Sequence, residues 1–148
     1  MTQAEGGDPF NLARFVSVQA PVYAQVCAEL DAGCKSSHWM WFMFPQLAAL
    51  GRSGTAKYYG IASRAEAGAY AQHPLLGERL RHCTSLVLAV QGSTAHQIFH
   101  SPDDLKFRSC MTLFDAVVPG EALFRQALAN YYGGEGDPLT LKLLASMP

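Results

Sequence analysis

Between Pro74 and Val90 the apolar residues Leu76, Leu80, Cys83, Val87 and Val90 recur at alternating steps of four and three. That period sets them on one face of an α-helix. The second half of the stretch, Leu86 to Val90, is apolar all round. A helix without a polar side has to be buried, so the segment predicts a central helix with other elements packed around it.

The punctuation of the remaining chain predicts more helices to do that packing. Asp8-Pro9 opens a short helix carrying Leu12, Phe15 and Val16. Pro21 opens the next, with Val26, Cys27 and Leu30 on its stripe and Gly33 just past its end. Ser63-Arg64-Ala65-Glu66 and Thr94-Ala95-His96-Gln97 both read as capping boxes. Ser101-Pro102-Asp103-Asp104 predicts a helix start with serine at the N-cap, proline at the first position and two acids against the dipole. A stripe of Leu123, Phe124, Ala127, Leu128 and Tyr131 stops at Gly133-Gly134, and Asp137-Pro138 starts a last helix. Trp39 to Phe44 is the one β-like stretch, and Pro45 and the lack of a pairing partner argue against a sheet. The expected fold is all-α: an irregular multihelical single domain over residues 1–148, with one or two buried central helices and a flexible N-terminus at 1–7.

Only 16% of the 148 residues are charged while 49% are hydrophobic. The charged share lies below the usual ~25%, which leaves apolar surface for a pocket or a partner and is compatible with a homodimer. The net charge is −1, and the densest basic cluster (Arg79, Arg81, His82) has Glu78 beside it. That is not the footprint a phosphate backbone demands, so no nucleic-acid partner is expected. Met1 to Asp8 has no apolar core of a signal peptide. The longest apolar run, Trp39 to Leu50, is broken by Pro45 and Gln46 and falls short of the ~20 residues a membrane span needs. A cytoplasmic protein without membrane contact is expected. The four cysteines form no CxxC spacing, which removes the zinc-ribbon and thioredoxin-like readings. Cys27, Cys83 and Cys110 sit in apolar stripes as small hydrophobes. Cys34, in a polar loop beside Lys35, is the one placed for a lowered pKa.

Several segments in order carry a family resemblance. They are Ser37-His38-Trp39-Met40-Trp41-Phe42-Met43-Phe44-Pro45-Gln46, Leu50-Gly51-Arg52-Ser53, His73-Pro74-Leu75-Leu76-Gly77, Ile98-Phe99, Ser101 to Lys106 and Met111-Thr112-Leu113-Phe114. With them the chain resembles, from Asp8 to Leu144, the bacterial domain-of-unknown-function family 1810, whose structures define an orphan mycobacterial all-α fold. The resemblance implies a multihelical fold with central buried helices and no established activity. Some members carry the label calpastatin, but nothing in this sequence resembles a protease-inhibitor repeat. The chain departs from the pattern at Cys34, where relatives tend to carry a basic residue, and at His100, where glycine is usual.

The residues with chemical promise fall in two places. In the tryptophan segment, two tryptophans, two phenylalanines and two methionines occupy six positions between His38 and Gln46. They are either a core plug or an aromatic wall that stacks a flat ligand, with His38 and Gln46 giving directed hydrogen bonds. In the helix from Pro102, Phe107, Cys110, Met111, Phe114 and Val118 share an apolar face, while Asp104, Arg108 and Asp115 form a charged stripe with Asp104 and Arg108 paired. Lys106 points away from that stripe. It either snorkels to solvent or faces a cleft with Asp103 as its partner, and in the second case Lys106, Ser109 and Thr112 floor a polar pocket suited to phosphate or carboxylate. Arg52 and Ser53 would line the same pocket. His96 and His100 have a metal-like (i, i+4) spacing without a third ligand, so no metal and no cofactor are expected.

Two functions compete on this sequence. One is a small-molecule-binding protein or enzyme acting on an anionic ligand such as a nucleotide-derived one. In it Trp39 and Trp41 stack the flat part, Lys106 and Arg52 hold the anion, and His38 is general acid or base. The other is a non-catalytic protein-interaction module anchored by the aromatic segment 39–44. They separate on one point: the enzyme reading needs His38 and Lys106 in the same cleft.

Overall fold

The computed structural model describes residues 7–148. The expected flexible segment 1–7 therefore lies, Gly7 apart, outside the described residues. The described chain is all-α. Its helices are α1 (Ala13–Gln19), α2 (Tyr23–Asp31), the single turn α3 (Met40–Met43), α4 (Gly54–Tyr58), α5 (Arg64–Gln72), α6 (Leu76–Ala89), α7 (Ala95–Phe99), α8 (Asp103–Val117), α9 (Ala122–Tyr132) and α10 (Pro138–Ala145), with a 3₁₀ turn at Ala48–Leu50. One isolated parallel bridge joins Leu47 to Ile61.

The centre is α8 rather than the second half of α6. In α6 only one side is sealed, through Leu80, Cys83 and Val87, while Leu86 and Leu88 are half-buried and Ala89 is exposed. Apolarity all round did not bury this helix, because its last turn lies at the edge of the packing. In α8 the run from Ser109 to Phe114 is buried without interruption, since α5, α7, α9 and α10 all pack on it. Phe107 meets Phe99 at 4.7 Å and Phe44 at 5.0 Å between ring centroids. Aromatic pairs at such separations add stability beyond the area they bury.

Most helix ends follow the sequence rules. Gly33 stands at φ +74° past the end of α2, and Gly133 at +64° closes α9. Thr94 and Gln97 form the expected reciprocal box. Ser63 caps α5, but Glu66 reaches the Ala62 N–H at 2.9 Å and Arg14 at 2.8 Å instead of closing its own box. Ser101 does not cap α8. The chain enters that helix from His100, whose carbonyl accepts from the Asp104 N–H at 2.9 Å, and Pro102 holds the N-cap position. Nor do Asp104 and Arg108 pair: the Arg108 guanidinium donates to the carbonyls of Glu135 (3.0 Å) and Gly136 (3.2 Å), tying the α9–α10 connection to α8.

Candidate functional site

The site grows out of a buried acid. Glu29, 5% exposed in the last turn of α2, sits where a helix dipole disfavours negative charge. It is compensated by donors. Ser36 N–H (2.8 Å), Ser37 N–H (3.0 Å) and the Trp39 indole (2.9 Å) donate to one oxygen. The Ser37 hydroxyl (2.5 Å) and the Gln25 amide (2.9 Å) donate to the other. Burial pushes the Glu29 pKa up, but donation from Ser37, Ser36, Gln25 and Trp39 outweighs it and holds the carboxyl well below the usual glutamate range. This knot fixes the loop from Gly33 to Trp39. It is tied again from above, as the Lys35 N–H donates to the Ile98 carbonyl at 2.7 Å and the Lys35 ammonium to the Ser37 carbonyl at 2.6 Å.

On that loop the Lys35 ammonium lies 2.9 Å from one oxygen of Asp103 and 5.0 Å over the Trp39 ring. The Lys106 ammonium lies 3.6 Å from the other Asp103 oxygen and 5.1 Å over the Trp41 ring. Two cations therefore share one carboxylate. Lys35 is buried and fully committed, whereas Lys106 is loosely held and a quarter exposed. Lys35 thus turns inward, away from Cys34, whose thiol instead lies 3.8 Å from His100 Nε2.

Two adjoining chambers meet at Trp41, Pro102 and Lys106. The first, of about 380 Å³, is edged by Lys35, His38, His100 and Asp103. The second, of about 520 Å³, runs between Gln46, Leu50, Arg52, Ser53, Leu105, Ser109 and Leu139. The wall carrying Gln46 is set by the Leu47–Ile61 bridge: the Ile61 N–H donates to the Gln46 carbonyl at 2.9 Å and the Ala48 N–H to Ile61 at 2.8 Å. Gly60 permits this approach, because a Cβ there would stand 2.3 Å from the Ala48 Cα.

His38 and Lys106 edge the same chamber. Trp41, Asp103, Gln46, Arg52, Ser53 and Ser109 also line the cleft, although Ser53 is occupied in capping α4 and the Ser109 hydroxyl donates to Leu105. Trp39 does not reach it: 1% exposed, it belongs to the Glu29 knot. Thr112 does not reach it either. Its hydroxyl donates to the Arg108 carbonyl (2.7 Å) and accepts from the Asp137 N–H (2.8 Å), so it fastens α10 to α8. Of segment 39–44, every residue but Trp41 is at most 7% exposed and lies in the core. His96 turns to Asp104 at 3.4 Å and His100 to Cys34, so the two histidines do not converge. His100 itself holds φ +64°, a conformation that glycine adopts readily and other residues seldom do.

Lys35 and Glu29 escaped the sequence reading. For Glu29 a signal existed, an acid in the last turn of an apolar helix; for Lys35 there was none.

The fold and the cleft define an all-α protein built on one buried central helix, with a two-chambered, cation-lined cleft at that helix's N-terminal end. A family model described as protein of unknown function (DUF1810) matches residues 9–144, and the chain belongs to that family. It is similar to the crystal structure of the conserved hypothetical protein Rv1873 from Mycobacterium tuberculosis. The identity is 55% and the TM-score 0.93, over 95% of this chain and 100% of that one. No curated protein matches the chain. No specific function attaches to the family or to this neighbour. Among the described residues no helix is long and apolar enough to cross a membrane.

Proposed function

We propose that the protein binds a small anionic ligand, of the phosphorylated or nucleotide-derived kind, in the cleft divided by Trp41 and Lys106. The observation that carries this reading is the inequality of the two lysines on Asp103. Lys35 neutralises that carboxylate at 2.9 Å, which leaves the Lys106 charge at 3.6 Å largely uncompensated at the junction of both chambers. A partly exposed ammonium over an aromatic face, with His38 and His100 lining the same chamber, is suited to receive a phosphate or carboxylate. Binding is favoured over catalysis, since among the described residues no side chain orients the His38 ring, as a general base requires. A cytoplasmic setting fits this reading, because there the free thiols stay reduced.

The test is a thermal-shift screen of the wild type and Lys106→Met against nucleotides, ADP-ribose and sugar phosphates. A ligand at about a hundred times its Kd adds about 2.7 kcal/mol. The reading predicts that an anionic compound raises the wild-type Tm and that Lys106→Met abolishes the response. A response that survives Lys106→Met unchanged contradicts it.

A further inference from the structure

The two chambers differ in chemistry. Around the first stand Lys35, Lys106, His38 and His100 against the single acid Asp103. The second is walled mainly by Trp41, Leu50, Ala56, Pro102, Leu105 and Leu139, with Arg52, Lys106 and Asp137 as its charged lining. Leu105 and Leu139 are 57% and 52% exposed, so these large side chains are not spent on the core. On the wall of that open chamber Gln46 has its backbone fixed by Ile61, while among the described residues its side-chain amide makes no hydrogen bond. An amide offers one donating and one accepting edge. A mainly apolar chamber with an unengaged amide on its wall suits a flat body whose rim the amide can read.

Building on the anion-binding reading above, we propose that the ligand has two parts: an anionic group in the chamber of Lys35 and Lys106, and a planar heteroaromatic arm in the chamber of Leu105 and Leu139, its edge read by Gln46. Trp41, which lines both chambers, is the wall the arm lies against as it passes Lys106. Gln46 is then the residue that sets specificity for the arm, and the two leucines supply affinity without selectivity. Ser109, with its hydroxyl turned back to the Leu105 carbonyl at 3.2 Å, presents little polarity to the arm.

The experiment is calorimetric titration of the full chain with inorganic phosphate, phenyl phosphate and AMP. Affinity is expected to rise in that order, by about tenfold from phosphate to phenyl phosphate, as burial of a ring requires. The doubly substituted Leu105→Ser, Leu139→Ser protein should lose the gain of phenyl phosphate over phosphate while binding phosphate as the wild type does. Both leucines are exposed, so this protein should fold. Gln46→Leu should lose the further gain of AMP and leave phenyl phosphate unchanged. If phosphate binds and Lys106→Met abolishes that binding, yet neither organic phosphate binds more tightly, the two-part ligand is wrong and anion binding stands. The two-part ligand is also wrong if the phenyl gain survives loss of both leucines. If none of the three anions binds, the anion-binding reading fails and the arm falls with it.

Discussion

Trp39 and Trp41 are separated by one residue and each has an Asp103-bound lysine over its ring, yet one is sealed and the other open. The indole of Trp39 is 1% exposed and donates to a buried carboxylate at 2.9 Å. That of Trp41 is half-buried, faces two open chambers and lies under a loosely held ammonium. The same contrast runs through the lysines, with Lys35 closing the Trp39 side and Lys106 open on the Trp41 side. Where every donor and acceptor is matched, the residues hold the loop in place. Where a cation and an aromatic face are left over, the molecule has capacity to bind.

The largest effect expected is on the closed side. Glu29→Ala leaves five donors without their acceptor and should cost about 4 kcal/mol. At about 3 °C per kcal/mol for a chain of this length, that is a fall in Tm of roughly 12 °C, measured by calorimetry. A loss below about 1 kcal/mol would mean that the knot contributes little. The same group sets a pH dependence. In the unfolded chain Glu29 takes up its proton near pH 4.3, but in the folded chain only at lower pH, so the unfolded state binds more protons in that window. Its stabilisation is complete above about pH 5 and fades as the pH falls towards 2. Glu29→Gln should flatten that part of a urea-unfolding profile. Lys35→Met comes next, at about 3 kcal/mol, because it breaks a pair that is mostly buried.

The tryptophans sharpen the comparison at smaller scale. Trp39→Phe should cost about 2 kcal/mol, the worth of a hydrogen bond to a charged group, while Trp41→Phe should change stability by less than about 0.5 kcal/mol. Equal losses in denaturant unfolding would erase the distinction between the two sides. Lys106→Met should have the smallest effect on stability, within about 0.5 kcal/mol, as expected for a long, partly exposed ion pair.

Local rules carried the helices well, because caps and stops are decided by neighbours in the chain: Gly33, Thr94, Gly133 and Asp137 all act as their positions predict. They failed where a distant segment took over the local task. Glu66 left its box for Arg14, and Arg108 left Asp104 for the carbonyls before α10. The end of α6 is less buried than its apolar pattern predicts for a related reason. Apolarity shows what a helix can bury, but the number of partners packed on it decides what is buried, and α8 has more of them than the end of α6. Lys106 and Trp41 were legible as an odd charge and an odd aromatic. That Lys106 had a rival for Asp103 was not, because Lys35 reaches that carboxylate only through the loop that Glu29 holds.

The most direct test of the central claim is the intrinsic fluorescence of the wild type and Trp41→Phe titrated with AMP. The account predicts a saturable change in wild-type emission that vanishes in Trp41→Phe, whose remaining indole, Trp39, is sealed against Glu29. An unresponsive wild type, or an equal response in Trp41→Phe, would contradict it.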